Sequence, residues 1–99
     1  MSTEDSVKVH MENELEVAKK MAHLWKTQMT NVFCYLKRQG KIAKTVREEY
    51  EQHIAKYEIV IKNEDIRNIK ELTVVMNLFA ITLYTQWNAL INTNLTAFL

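Results

Sequence analysis

The chain contains no proline and one glycine, Gly40, in 99 residues. These two residue types break helices most strongly, costing about 3 and about 1 kcal/mol relative to alanine in a helix interior. A chain nearly free of them is expected to be all-α, built from a few long helices. Two interruptions stand out. Gly40 suits the left-handed conformation that ends a helix, and Asn63-Glu64-Asp65 supplies a second break followed by an N-cap. The expectation is one all-helical domain over residues 1–99 with three helices. The first starts in the Ser2–Asp5 cluster and ends near Arg38, the second follows Gly40, and the third runs from about Ile66 into the nineties. The β-branched run Ile59-Val60-Ile61 is the one stretch that reads equally well as extended chain, so the end of the second helix is soft.

Within the first helix Met11, Leu15, Ala18, Ala22, Trp25, Met29, Val32 and Leu36 follow one another by steps of four and three, a sustained heptad seam. A shorter stripe of Val17, Met21 and Leu24 lies beside it and widens the apolar face beyond what one neighbour covers. The first helix is therefore expected to touch two partners. In the second helix Ala43, Val46, Tyr50, His53 or Ile54, Tyr57 and Val60 keep a helical spacing, and Arg47–Glu51 and Glu58–Lys62 stand four apart as candidate ion pairs.

Every Lys, Arg, Asp and Glu lies in the first 71 residues, and Leu72 to Leu99 carries no charged side chain. Thr73, Asn77, Tyr84 and Asn88 share one sector of this third helix, leaving a broad apolar side with Leu72, Val75, Phe79, Leu83, Trp87 and Leu90. Leu72–Ile91 has about the 20-residue length that a bilayer requires. Thr73, Asn77, Thr82, Thr85, Gln86 and Asn88 would sit inside it, where polar groups are costly, so a buried helix of a soluble protein is expected instead. Two helices of one short chain cannot surround such a helix. The expectation is a helical-bundle homodimer, with the heptad seam and Phe79, Leu83, Trp87 and Leu90 at its interface.

The remaining composition excludes several functions. A net charge of +1 gives no global attraction to nucleic acid or anionic lipid. Cys34 is the lone cysteine, which rules out an internal disulfide, reads as a buried small hydrophobe beside Phe33, Tyr35 and Leu36, and suits a reducing, cytoplasmic location. The acidic, polar start MSTEDSVKVHMENE does not read as a secretory signal. His10, His23 and His53 lack metal-ligand spacing, and no phosphate loop, nucleophile elbow or triad pattern is present, so neither metal nor cofactor is expected.

Two features carry candidate chemistry. Lys37, Arg38, Lys41, Lys44 and Arg47 place five positive charges around the Gly40 turn with no acid among them, a cluster that could bind anions or the phosphates of nucleic acid, or simply be a solvated turn. Gly40–Thr45 is similar to a helix-turn-helix turn, although the flanking helices are longer than that motif needs. Thr82 and Gln86 fall on the apolar side of the third helix, where a buried amide needs a partner: a hydrogen bond across a dimer, or a ligand.

Chain length, the long first of three helices and the expected dimer together resemble the small all-helical chorismate mutases. Lys26, Lys37, Arg47-Glu48, and Thr82 with Gln86 fall at intervals similar to the residues that hold a dianionic substrate in that family, with Lys8 nearest to the first basic position. The resemblance implies a site working by positioning and electrostatics alone. The family uses arginine on its first helix, whereas no arginine precedes Arg38 here, and lysine lacks the bidentate fork that grips a carboxylate. The leading expectation is a non-enzymatic protein acting through partner surfaces, with a chorismate-mutase-like enzyme and a nucleic-acid-binding protein as the alternatives.

Overall fold

The computed structural model describes the backbone of residues 3–40 and 42–98 and the side chains of residues 6–40 and 42–92. Three helices follow in order, α1 (Thr3–Arg38), α2 (Lys44–Asn63) and α3 (Ile66–Phe98), with no strand among the described residues. The expected all-α class and both breaks are present. Gly40 has φ +67, and its N–H reaches the Lys37 carbonyl at 3.0 Å. Glu64 takes the second left-handed position, φ 56, and its N–H reaches Ile61 at 3.3 Å. Asp65 then starts α3, accepting from Asn68 N–H on its carboxylate at 3.3 Å and from Ile69 N–H on its carbonyl at 2.9 Å. The Ile59–Ile61 run is helical, because Val60 is buried and Ile61 packs on the core. Ser2 and the side chains of Thr3–Asp5, the cluster expected to start the first helix, lie outside the described residues.

Cross-helix contacts give the directions. Lys70 shares a groove with His10, Glu14 and Val17, Tyr84 Oη donates to Gln28 Oε1 at 3.1 Å, and Trp87 meets the Tyr35 ring edge-on at 5.4 Å. The numbers rise together, so α1 and α3 are parallel, with residue i beside roughly i + 56. Along α2 the order reverses. Tyr50 stacks on Phe33 at 3.9 Å and donates to Thr30 Oγ1 at 3.0 Å, while Glu64 accepts from Lys19 Nζ at 3.1 Å. α2 is the antiparallel connection that carries the chain back between the two long helices.

The core lies chiefly between α1 and α3. Ala18, Ala22, Met29, Val32, Phe33 and Leu36 pack against Ile69, Leu72, Met76, Phe79, Ala80 and Leu83, with Val60 supplied by α2. Ala22 and Ala80 are fully buried, as small residues are where backbones approach closely. The heptad seam expected at a dimer interface is thus used inside one chain: Ala18, Ala22, Met29, Val32 and Leu36 are core, Leu15 and Trp25 pack on its edge, and only Met11 is exposed. Phe79 and Leu83 are core as well, with Trp87 and Leu90 at its margin. A seam of this length prefers any parallel or antiparallel apolar helix, and α3 is the nearest one in the chain. Surface offered to a second molecule has to come from other residues.

The molecule is long and thin, 68 × 25 × 16 Å. Its radius of gyration is 17.9 Å, against about 12.6 Å for a compact chain of this length. Its accessible surface is 7340 Å², against about 5,900 Å² for a monomeric protein of 11.7 kDa. The excess of about 1,400 Å² exceeds the roughly 800 Å² that one partner contributes to a standard interface.

Candidate interaction surface

α2 covers one side of the α1–α3 pair, and the opposite side is open. The spare stripe expected to meet a second partner, Val17, Met21 and Leu24, meets none of the chain's own helices fully, being 60%, 44% and 47% exposed. Val17 and Met21 instead line a groove of about 590 Å³ between α1 and α3, with Thr73 and Val74 on its other wall and His10, Glu14 and Lys70 at one end. Leu24 turns toward a second groove between α1 and α2, with His23, Tyr57 and Ile61. Farther along the open side a smaller groove of about 200 Å³ is lined by Asn31, Val32, Tyr35, Tyr84 and Trp87. The buried indole N–H of Trp87 has no acceptor there.

The first and third of these grooves, both between α1 and α3, form one face with a definite charge pattern. Charge is confined to the His10, Glu14 and Lys70 end, where His10 Nε2 lies 3.4 Å from Glu14. From Val17 to Tyr35 the α1 residues lining the grooves are uncharged, and α3 has no charge after Glu71. The uncharged strip is about 30 Å long at 1.5 Å per residue. Val74 and Ile81, one heptad apart on α3, are 58% and 52% exposed, and Leu78 on the outer flank is 60% exposed.

α3 accommodates its polar residues internally. Thr73, Thr82 and Thr85 hydroxyls donate to the carbonyls of Ile69, Leu78 and Ile81 at 2.8, 3.1 and 3.0 Å, satisfying each hydroxyl without a partner helix. The chain's own helices do not bury the Thr82–Gln86 pair: Thr82 is exposed and Gln86 half-buried, and no polar residue is buried among those described. The reason is angular. The inward face of α3 is set by Ile69, Leu72, Met76, Ala80 and Leu83, and at about 100° per residue Thr82 and Gln86 fall on its α2-side flank, not its centre. Cys34 is likewise partly exposed instead of buried.

The residues suggested by the chorismate mutase resemblance do not gather in a cavity here. The groove between α2 and α3, with Glu49, Val75, Leu78 and Phe79, includes Thr82, and the three grooves named above include none of them. Lys26 lies 5.2 Å above the Tyr57 ring, and Lys37, Arg47 and Glu48 are exposed. In the basic cluster Lys37, Arg38, Lys44 and Arg47 are solvated; Lys44 stands 4.0 Å from Glu48, and Lys41 lies outside the described residues. The ion pairs seen are Lys19–Glu64, Lys44–Glu48 and Arg67–Glu71, with histidine contacts at His10–Glu14 and Glu49–His53; Arg47–Glu51 and Glu58–Lys62 are not among them. No three His, Cys, Asp or Glu side chains among the described residues are placed to share a metal ion.

Among the described residues one titratable group is clearly shifted: burial pushes the Tyr57 hydroxyl above its usual 10.0, by disfavouring the phenolate. The His53 ring meets Phe79 edge-on at 4.9 Å, and its Nε2, although 3.5 Å from Glu49, has no well-aligned hydrogen bond.

The fold and surface define a three-helix protein with one helix-pair face left open. Comparison with protein-family profiles, curated proteins and solved structures finds no match to this chain.

Proposed function

We propose that this is a non-enzymatic helical interaction protein that works by docking the open α1–α3 face on a protein partner. The observation that carries this reading is the uncharged strip from Val17 to Tyr35 and along α3, flanked by exposed Val74 and Ile81. A patch of this extent on a small chain is expensive to hold in water, and exposed apolar patches of several hundred Å² mark interaction sites. The homodimeric bundle expected from the sequence is the form of this reading pursued below.

A bilayer is the competing cover, since Ile66–Asn92 has the length and composition of a span and only 22% of its apolar window is buried in the chain. The fold argues against it. α3 lies side by side with α1 and α2 along its length, and Lys20, Lys56 and Glu58 project from the outer surfaces of those helices. A bilayer around α3 would desolvate those charges as well.

The test is to place lysine at Val17 and Val74 together and follow sedimentation, helical circular dichroism and binding of the apolar dye ANS. The reading expects unchanged helicity, because neither residue is in the core, and loss of the association or dye binding shown by the parent chain. A parent chain that is a monodisperse monomer and binds no dye would overturn it.

A further inference from the structure

The open face has a symmetry that names its occupant. Its apolar centre lies around Met21 on α1, between exposed Val17 and Leu24, and around the neighbouring Asn77 on α3, between exposed Val74 and Ile81, by the offset that pairs Gln28 with Tyr84. Seven residues toward the N-terminal end stand Glu14 and Lys70; seven toward the other end stand Gln28 and Tyr84. A two-fold axis through Met21 and Asn77 therefore lays the apolar centre of one copy on that of another. It also brings the carboxylate and ammonium of each copy to the neutral amide and phenol of its mate. No like charges meet.

On this basis, and resting on the interaction reading above, we infer that the occupant of the open face is a second copy of this chain, docked antiparallel about an axis at Met21 and Asn77. Closed two-fold pairing is the commonest way identical chains associate, and it requires such a self-complementary patch. Asn77 is half-buried on the polar stripe of α3. An amide at the axis can donate to and accept from its own copy, and a single asparagine inside an apolar helix interface is a device that fixes register. The area agrees. Two helices side by side over about 30 Å present about 600 Å², near the size of one side of a standard interface and well within the surface excess of the single chain. The product is a four-helix layer in which α1 and α3 of both copies share one core, with each α2 on the outside.

The test exploits the axis, where residue 21 of one copy faces residue 21 of the other. Met21→Glu and Met21→Lys are made separately; at 44% exposure both leave the fold intact, which circular dichroism verifies. Light scattering is expected to give the parent chain twice its 11.7 kDa mass. Each variant alone is expected at the single-chain mass, its self-affinity weakened about 100-fold by like charges at the axis. Mixing the two variants is expected to restore the doubled mass. Variants that remain dimeric alone, or that stay monomeric when mixed while the parent is a dimer, overturn the proposed axis. A monomeric parent that binds ANS through Val17 and Val74 overturns the second-copy inference while leaving the interaction reading standing, and a monomeric parent without dye binding ends both.

Discussion

Leu78 and Leu83 sit five residues apart on α3 and differ only in direction, 60% exposed against 0%. Truncating each to alanine measures which side of α3 holds the molecule together. At Leu83 the three carbons removed leave a fully enclosed site in the core between α1 and α3. The transfer loss is about 2.4 kcal/mol at about 0.8 kcal/mol per methylene. The unfilled space adds to this, and core leucine truncations cost about 2–5 kcal/mol in total. Because this bundle is thin and can close in part around the gap, about 3 kcal/mol is the expected value. In a domain of this size each kcal/mol moves the thermal midpoint by about 4–8 °C, so Leu83→Ala is expected to melt about 12–24 °C below the parent. Leu78→Ala removes the same carbons from a largely hydrated site and is expected to cost about 1 kcal/mol or less. Both are read by thermal and urea unfolding followed by circular dichroism at one protein concentration. Equal losses at the two positions would refute the assignment of the inward face of α3.

Other consequences follow from individual contacts. Tyr84→Phe deletes the hydroxyl bonded to Gln28 and is expected to lower stability by about 1 kcal/mol in urea titration, with no further loss when Gln28→Ala is added. Tyr50→Phe removes the bond to Thr30 but keeps the ring stack on Phe33, so its loss in the same assay is also about 1 kcal/mol, against at least twice that for Tyr50→Ala. Tyr57 holds its proton more tightly folded than unfolded, so it contributes stability below about pH 10 that falls as the pH rises through the raised folded value; Tyr57→Phe is expected to flatten that alkaline decline in unfolding curves measured against pH. Chorismate turnover by the purified chain is expected to be absent, because the residues of the resemblance do not converge, and measurable turnover that Gln86→Ala abolishes would contradict the interaction reading.

Much of the fold was legible because it is governed by local rules. The absence of proline and the single glycine announced long helices, Gly40 and Asn63–Asp65 marked both ends, and four-three spacing picked out Met29, Val32 and Leu36 as inward. What covers the seam was not legible. A heptad stripe states that an apolar helix lies opposite and does not say whether that helix belongs to the same chain, so the α1–α3 pairing inside one molecule followed only from the three-dimensional path. Gln86 was misplaced because a few tens of degrees decide between flank and centre of a helix, and that rotation is set by the packing of Met76 and Leu83. The open face had left a trace: Val17, Met21 and Leu24 exceed what one neighbour needs, and α2 does not cover Val17 or Met21.

Methionine oxidation tests the covering of that face most directly. Met29 and Met76 are fully buried in the chain and serve as slow references, whereas Met21 is exposed in the single chain. With peroxide and mass-spectrometric readout over a series of protein concentrations, Met21 is expected to react as slowly as Met29 and Met76 when the protein is concentrated and to speed up on dilution. A Met21 rate that is far above both references and independent of concentration would contradict the account.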